Sequence, residues 1–239
     1  MPVDASLDVQ ERERLQARYA EIATLAGGLA HEIRNPLSTI SLNLDLIVED
    51  LQDADAPRDQ RILRKIQTVK RECGRLEGVL SAFLQFARVG ELELVETGLN
   101  DVVREFIDFY RPQAEEHAIE IRPHLCADLP RVRLDEPLIR QVLMNLALNA
   151  QQAMPGGGLL EVQTFVRDGS VHLELIDTGG GMDEHVRCRA FQAFFSTRPA
   201  GSGLGLPTVR KIIEAHGGEI HCDSEPARGT RFTIVLPAA

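Results

Sequence analysis

A long repeat of apolar residues, spaced three and four apart, constrains the fold of the first third of this chain. In the first stretch the repeat runs through Ile22, Leu25, Leu29, Ile33, Leu37, Ile40, Leu44, Ile47 and Leu51. In the second it runs through Ile62, Ile66, Val69, Cys73, Leu76, Leu80, Phe83 and Ala87. A mean spacing of about 3.5 residues is typical of helices packed along a seam, in a coiled coil or an antiparallel bundle. The repeat therefore predicts two long helices within residues 20–88.

The segment 52–58 between these helices is short, polar and contains Pro57, which favours a helical hairpin. A lone hairpin of this length leaves apolar surface uncovered, so we expect two copies to pair into a four-helix bundle. An intramolecular bundle, packed against the rest of the chain, is the alternative. Residues 1–19 are rich in charge and are expected to extend the first helix or to fray in solvent.

From about residue 92 the pattern changes to strands and helices in alternation. Helices are predicted over 100–117, 136–154 and 204–216, and strands over 159–166, 171–176, 219–223 and 230–236. Asp168-Gly169 between two strands predicts a tight hairpin, Asp135 and Pro137 predict a helix start, and Gly217-Gly218 a helix end. We therefore expect an α+β domain over 91–239, with helices on one face of a mixed sheet, following a helical domain over 20–90.

Composition excludes several classes of protein. The chain carries 26 Lys and Arg against 36 Asp and Glu, a net charge of −10 that argues against a general nucleic-acid binder. No apolar run of about 18 residues is present, so no membrane span is expected. The four cysteines form no C-x-x-C pair, which argues against a zinc site or a disulfide framework. With no signal-peptide pattern at the start, we expect a cytoplasmic protein.

Two asparagines on one predicted helix are candidate metal ligands. Asn145 and Asn149 are four residues apart and so share one face of the helix that begins near residue 136. Their amide oxygens are hard neutral donors, suited to a Mg²⁺ ion that also holds phosphates. A pair of helical asparagines that only caps neighbouring loops is the alternative.

Two glycine-rich segments are candidate binding loops. The first, Asp177-Thr178-Gly179-Gly180-Gly181-Met182, follows a strand, so an aspartate could accept from an amino group while bare backbone approaches a flat ring. It could also be an ordinary turn. The second, Gly201-Ser202-Gly203-Leu204-Gly205-Leu206, opens a helix, whose exposed amides form an anion site. It matches neither a P-loop nor a dinucleotide-binding turn.

The first helix contains the segment Leu29-Ala30-His31-Glu32-Ile33-Arg34-Asn35-Pro36-Leu37. At about 100° per residue, His31 points away from the apolar seam and toward solvent. A lone histidine there is usually just surface, but Glu32 adjoins it. Pro36 removes a backbone donor and should bend the helix just after His31. These features make His31 a candidate reactive residue.

Together these motifs resemble the sensor histidine kinases of two-component systems. Residues 29–37 closely match the H-E-x-x-N-P box of that family, and the asparagine and glycine segments resemble its ATP-binding domain, which is shared with gyrase, chaperone and mismatch-repair ATPases. Residues 191–198 are similar to the family's phenylalanine box, and 229–237 to its closing strand. Thr178, Gln192-Ala193 and Gln152 depart from the common pattern. At the position of Gln152 many relatives place a basic residue near the phosphates, as in nitrogen-regulation-type kinases.

The resemblance implies a fold and a set of roles. The fold is an N-terminal antiparallel helical hairpin, forming a dimeric four-helix bundle, followed by an α/β-sandwich ATP-binding domain. His31 would take the γ-phosphoryl group of ATP, Glu32 would hold the imidazole, and Asn35 would orient water for dephosphorylating a response regulator. The implied ATP contacts are Asn145, Asn149, Asp177, Gly179, Gly181, Thr197, Arg198, Gly201, Gly203, Leu204 and Gly205, with Ser196 as an alternative to Thr197. Asn149 would be the main Mg²⁺ ligand, and Asp177 would read the adenine amino group.

The implied partners are a second copy of the chain and a response-regulator receiver domain. We expect the sensory input to come from a separate protein or from a sensor domain missing from this chain. Two other hypotheses use the same residues: a chaperone-like or repair ATPase, which leaves His31, Glu32 and Pro36 unexplained, and a non-catalytic dimeric scaffold. A histidine kinase accounts for more of the sequence than either.

Overall fold

The computed structural model describes residue 29 and residues 33–49, 58–88, 92–198 and 201–238. The chain divides into two compact units, with the main division between Ala87 and Arg88, and the segment Arg198–Ser202 groups with the first unit. Among the described helices, none is both long and apolar enough to cross a membrane.

The first unit is a helical hairpin. Its helices are α1, described over 33–49, and α2 (Arg58–Arg88). Lys65 Nζ, near the start of α2, donates to the Leu46 carbonyl oxygen, near the end of α1, at 3.0 Å. This contact joins the two helices as an antiparallel hairpin does. His31, Glu32, residues 1–19 and residues 52–57 of the predicted connection at 52–58 lie outside the described residues, and Arg58 already begins α2.

Burial within the hairpin divides the apolar repeat into two sets. The half-buried set is Ile33, Ile40, Ile47, Ile62, Val69, Leu76 and Phe83. The exposed set is Leu37, Leu44, Ile66, Cys73 and Leu80. Members of each set recur every seven residues along a helix, so the two sets form separate stripes. One stripe is covered within the hairpin, and the other is left uncovered by a single copy.

The second unit is a mixed sheet with helices packed on one face. Its elements are β1 (Val95–Thr97), α3 (Leu99–Glu116), β2 (Ile119–Leu125), β3 (Val132–Leu134), α4 (Glu136–Ala153), β4 (Gly158–Arg167), β5 (Ser170–Asp177), α5 (Glu184–Arg189), α6 (Gly205–Ala215), β6 (Glu219–Ser224) and β7 (Thr230–Pro237). The main sheet has the order β2-β4-β5-β7-β6. The β2–β4 pair is parallel and the other pairs are antiparallel. A separate antiparallel pair joins β1 and β3. The predicted α+β class, with its mixed sheet, is confirmed.

The alternation of buried and more exposed side chains along the strands shows which face of the main sheet the helices cover. On β5 the buried side chains include Val171, Leu173 and Leu175, and they share one core with apolar faces of α3, α4 and α6. The intervening Glu174 lies on the other face, where Thr233 of β7 donates to it at 3.0 Å. A strand places successive side chains on opposite faces, so this pattern positions all three long helices on one side of the sheet.

Local signals set the ends of two helices that frame the site. Asp135 Oδ1 accepts from the backbone N–H of Leu138 at 3.2 Å and so caps α4, with Pro137 in its first turn. Gly217 has a left-handed φ of 72°, and the next amide, of Gly218, donates to the Ile213 carbonyl at 2.9 Å. That geometry closes α6 and turns the chain into β6. Both predicted helix ends are therefore confirmed.

Candidate functional site

Helix α4 carries the two candidate asparagines on its half-buried side. Its opposite side is packed into the core through Val142, Leu143, Leu146, Ala147 and Ala150. Asn145 and Asn149 are each half-buried and lie one turn apart. The core packing thus fixes the rotation of α4, and this rotation presents both amide side chains along one edge.

A buried tyrosine, Tyr110, holds the C-terminal part of α4 through Gln151. The Tyr110 hydroxyl, on α3, donates to Gln151 Oε1 at 2.6 Å, and Gln113 Nε2 donates to the same oxygen at 3.0 Å. Burial raises the pKa of Tyr110, so the phenol stays protonated and remains a donor. Gln151 follows Asn149 by two residues, on a different side of the helix. The contact anchors the last turns of α4 without occupying the asparagine edge.

Asp177 ends β5 and is 5% exposed. Its Oδ1 accepts from the backbone N–H of Gly179 at 2.8 Å, which fixes the orientation of the carboxylate. A Cβ on Gly179 would lie 2.7 Å from Ala153 Cβ and 2.9 Å from that same carboxylate oxygen. Only glycine therefore fits between the end of α4 and Asp177.

The loop after Asp177 is tied to both of its neighbours. The Gly180 amide donates to the carbonyl of Ala153, the last residue of α4, at 3.1 Å. On the other side, the Ala227 amide donates to the Gly180 carbonyl at 2.8 Å. Gly181 has a φ of 65°, and a Cβ there would collide with the Glu225 carbonyl oxygen. These contacts hold residues 177–182, called here the aspartate–glycine loop, against α4. That helix carries Asn149, four residues before Ala153.

The second glycine segment opens α6. Gly203 has a φ of 65°, and its carbonyl accepts from the Phe194 amide at 3.0 Å. The two backbones approach so closely that a Cβ on Gly203 would lie 2.5 Å from the Phe194 carbonyl carbon. Leu204 is fully buried at the N-cap of α6 and carries no side-chain acceptor. Gly205 then begins the helix. The side chain at the N-cap of α6 supplies no hydrogen bond to the first turn. The amides at the start of a helix can bind an anion.

Arginines clamp the aromatic rings between the two glycine segments. Arg210 of α6 lies 4.1 Å from the centre of the Phe191 ring, and Arg189 of α5 lies 4.1 Å from that of Phe195. Gln192, one of the departures from the family pattern, accepts from Arg189 Nε at 3.1 Å. Gln192 thus holds Arg189 by a hydrogen bond, and Arg189 in turn makes a cation–π contact with Phe195.

The remaining predicted site residues are placed in other parts of the chain. Asn35 is exposed on α1, and Ser196 and Thr197 are exposed after the aromatic segment. Arg198 and Gly201 belong to the segment that groups with the helical unit, where the Gly201 amide donates to the Arg198 carbonyl at 3.2 Å. The structure brings together Asn149, Asp177, Gly179 and Gly181 within the second unit. It says nothing of His31 or Glu32, which lie outside the described residues.

The donor set fits a nucleotide that carries a divalent cation. Half-buried amide oxygens suit Mg²⁺, and a buried carboxylate with a fixed orientation suits an amino group. The amides at the start of α6 suit phosphate. Among the described residues no cluster of His, Cys, Asp and Glu could hold a metal ion by itself.

Sequence reasoning missed the backbone and turn that support the aspartate–glycine loop. The Ala153 carbonyl carries no sequence signature, because any residue could supply it. The turn after β6 shows a turn signal in Pro226 and Gly229, but nothing in the sequence connects that turn with Asp177. The register of β5, β7 and β6 makes the connection, since Thr230 pairs with both Asp177 and Ser224.

Two protein-family models match the chain. Residues 21–92 match the His Kinase A (phospho-acceptor) domain. Residues 134–239 match the histidine kinase-, DNA gyrase B- and HSP90-like ATPase. The matched segments together cover most of the chain, and the second contains α4, the aspartate–glycine loop and α6.

Similar proteins with curated names are kinases of bacterial signalling systems. The chain is 35% identical to the sensor histidine kinase ZraS of Klebsiella oxytoca, over 96% of this chain and 49% of that protein. It is 32% identical to sporulation kinase E of Bacillus subtilis, over 96% of this chain and 31% of that protein. The chain thus spans about half the length, or less, of these curated relatives.

Solved structures of histidine kinases are also similar. The histidine kinase ThkA in complex with the response regulator protein TrrA matches with a TM-score of 0.75 and 26% identity, over all of this chain and 68% of that one. Full-length ShkA in complex with AMPPNP matches with a TM-score of 0.64 and 29% identity, over 92% of this chain and 46% of that one.

Proposed function

Since the chain belongs to the two-component sensor histidine kinases, with an ATP-binding domain of the gyrase and HSP90 type, we propose that it is an ATP-dependent protein-histidine kinase that phosphorylates its own His31. One observation carries the proposal. Asp177, buried and oriented by Gly179, lies in a loop docked on the helix of Asn149, in a chain that also has His31-Glu32 and Asn35-Pro36. A repair or chaperone-type ATPase would have no use for that histidine segment.

The proposed step is an in-line phosphoryl transfer. Neutral His31 attacks through Nε2, a bond forms between that nitrogen and the γ-phosphorus, and the bond from the γ-phosphorus to the β–γ bridging oxygen breaks. ADP leaves with the electron pair. Glu32 accepts a hydrogen bond from Nδ1–H, which keeps the ring in the reactive tautomer and stabilises the positive charge that develops on it.

Residues within 91–239 would hold the nucleotide. Asp177 accepts from the adenine amino group, and Gly179 and Gly181 allow the ring to approach the backbone. The proposed phosphate contacts are Thr197, Arg198, Gly201, Gly203, Leu204 and Gly205. Asn149, supported by Asn145, would hold Mg²⁺, which when bound neutralises charge on the phosphate oxygens.

The proposed partners are a second copy of the chain and a receiver domain. The exposed apolar stripe on α1 and α2 supports a dimeric four-helix bundle, because a single hairpin leaves that stripe in water. The phosphoryl group would pass from His31 to an aspartate of a response regulator, as the complex of the related ThkA with TrrA supports. Exposed Asn35, four residues beyond His31, would orient a water molecule that dephosphorylates the response regulator.

We place this reaction in the cytoplasm, and we assign dimerisation and phosphotransfer to residues 20–90 and ATP binding to 91–239. Residues 1–19 would extend the first helix, and the stimulus would reach the kinase through a sensor domain or a separate sensor protein.

Labelled ATP tests the function directly. We expect the purified chain, incubated with γ-labelled Mg-ATP, to acquire label that is lost in acid and stable in alkali, as expected for phosphohistidine. His31→Gln should abolish the label while Mg-ATP binding, measured by calorimetry, stays within about twofold of wild type. Asn149→Ala should reduce binding and labelling together, by about tenfold or more if one metal–ligand contact is lost.

The matched control is His221→Gln, which alters an exposed histidine on β6 far along the chain from the phosphorylation motif. It should label like wild type. Label that persists in His31→Gln would overturn the assignment. ATP turnover that continues unchanged in that variant would favour an ATPase of the chaperone or repair class.

A further inference from the structure

Ser224, the last residue of β6, uses its hydroxyl to join three segments of the second unit. Its oxygen accepts from the Met182 amide at 2.8 Å and donates to the Gly229 carbonyl at 2.9 Å. It also lies 3.0 Å from the hydroxyl oxygen of Thr230. Met182 is the last residue of the aspartate–glycine loop (177–182), Gly229 directly precedes β7, and Thr230 is the first residue of β7.

The donors and acceptors of this cluster can be counted. A serine hydroxyl has one proton and two lone pairs. The proton goes to the Gly229 carbonyl and one lone pair receives the Met182 amide. The second lone pair remains for Thr230, so the Thr230 hydroxyl is the donor in that contact. Removing the serine oxygen would leave a loop amide and the hydroxyl of Thr230, which is 6% exposed, without their partner.

The cluster lies beside Asp177. Thr230 pairs with Asp177 on one side and with Ser224 on the other, so the three residues stand side by side on adjacent strands. Gly229 packs so closely on β5 that a Cβ there would collide with the Asp177 carbonyl oxygen. The 177–182 loop begins at Asp177, which lies beside Thr230 of β7, and ends at Met182. The Ser224 hydroxyl thus connects Met182 to the start of β7, next to Asp177.

We propose that Ser224 is a positioning residue that sets the preference of the site for adenine. By holding Met182, at the far end of the 177–182 loop, to the start of β7 beside Asp177, it keeps the Asp177 carboxylate where it can accept from the exocyclic amino group of the base. The inference rests on the proposed function, in which Asp177 reads that group. It assigns no contact between Ser224 and the nucleotide.

A comparison of two nucleotides separates this role from a merely structural one. ITP differs from ATP at the base, where a carbonyl oxygen replaces the amino group, so the 6-position that Asp177 is proposed to read can no longer donate. In Ser224→Ala we expect the affinity for Mg-ATP, measured by calorimetry, to fall about five- to tenfold, as for one lost hydrogen bond. The affinity for Mg-ITP should change less than twofold, so that the ratio of the two affinities falls.

Controls keep the result interpretable. Thr233→Ala removes a hydroxyl from the opposite face of the same sheet, where it donates to Glu174, and should leave the ratio unchanged. If Ser224→Ala does not fold, as judged by thermal unfolding, Ser224→Cys carries the test, because a thiol is nearly the same size but a weak acceptor.

Three outcomes would overturn the inference. A variant that keeps the wild-type ratio shows that the loop does not depend on Ser224. A variant that loses affinity for ATP and ITP equally shows a structural role alone. If wild type itself does not prefer ATP to ITP, the role of Asp177 in the proposed function fails, and the inference fails with it. The last outcome is visible in wild type and is thus distinct from the other two.

Discussion

At the scale of single residues, the thiol of Cys222 is held in its neutral form. Its pKa is raised to about 12, chiefly by burial on β6, with smaller contributions from the nearby charges: Asp223 raises it, Arg187 lowers it and Asp177 raises it. Below the ordinary pKa of 9.0 the thiol is neutral in both folded and unfolded chains. Between pH 9 and 12 the unfolded chain ionises first, so the stability contributed by this group is lost as the pH rises.

We therefore expect Cys222 to resist alkylation. At pH 8.5 its reaction with iodoacetamide should be slower than that of exposed Cys188 by about a hundredfold or more, because the thiolate is the nucleophile. Its rate should keep rising about tenfold per pH unit until the pH approaches the raised pKa of about 12. Mass spectrometry of the labelled peptides measures both rates, and exposed Cys73 provides a second reference. Equal rates at Cys222 and Cys188 would contradict the prediction.

Single residues also show where local sequence is sufficient and where it is not. Asp168 and Gly169 have φ values of 51° and 76°, the left-handed pair that a two-residue hairpin demands, and the sequence predicted that turn. Phe194 also has a left-handed φ, of 61°, which no propensity would assign to an aromatic residue. Its conformation is imposed by the contact with Gly203, nine residues later, and depends on tertiary structure.

At the scale of elements, a buried histidine joins the end of α6 to the start of α4. His216, 6% exposed, donates through Nδ1 to the Ile212 carbonyl at 2.7 Å and accepts through Nε2 from the Asp135 amide at 3.0 Å. Asp135 in turn caps α4 and accepts from the Glu93 amide at 3.1 Å. The two helices that carry the asparagines and the second glycine segment are thereby fixed to each other at these ends.

Removing that ring should destabilise the second unit. In His216→Ala the buried Asp135 amide loses its acceptor, and we expect the free energy of unfolding to fall by about 2–3 kcal/mol. Urea denaturation measures the change. His221→Ala, at an exposed histidine five residues later, is the control and should change the free energy of unfolding by less than about 0.5 kcal/mol. A His216→Ala protein as stable as that control would show that the hydrogen bond contributes nothing.

The elements that the sequence did not predict are those with the weakest local signals. Four strands and three helices were predicted with ends within one residue of those observed, because their apolar residues face a core and keep a regular period. Strand β2 was missed: it contains Pro123, which an edge strand tolerates but which interrupts the strand pattern. Strands β1 and β3 have three residues each, and α5 buries none of its side chains.

At the scale of the whole molecule, the sequence points to candidate site residues but not to the groups that support them. The asparagines, Asp177 and the glycines stand out because few residue types have the chemistry proposed for those positions. The groups that hold them, such as the Ala153 carbonyl and the Tyr110 hydroxyl, are ordinary in the sequence and are brought to the site only by packing. Such groups do not lie at a fixed distance in sequence from the residues that they support, so only the fold reveals them.

The uncovered stripe of the helical hairpin makes a prediction about assembly. Ile66 and Leu80 of α2 are 49% and 48% exposed in one copy, and each should be buried when two hairpins pair. Charging both, as in Ile66→Glu with Leu80→Glu, should raise the dimer dissociation constant by about a hundredfold or more, since burying an unpaired carboxylate costs several kcal/mol. Analytical ultracentrifugation measures the constant. Gln67→Glu adds a charge next to the stripe, at an exposed polar position, and should leave the dimer intact. If the doubly charged variant remains as dimeric as that control, the two copies do not meet along this stripe, and the alternative of an intramolecular bundle becomes the better account of the repeat.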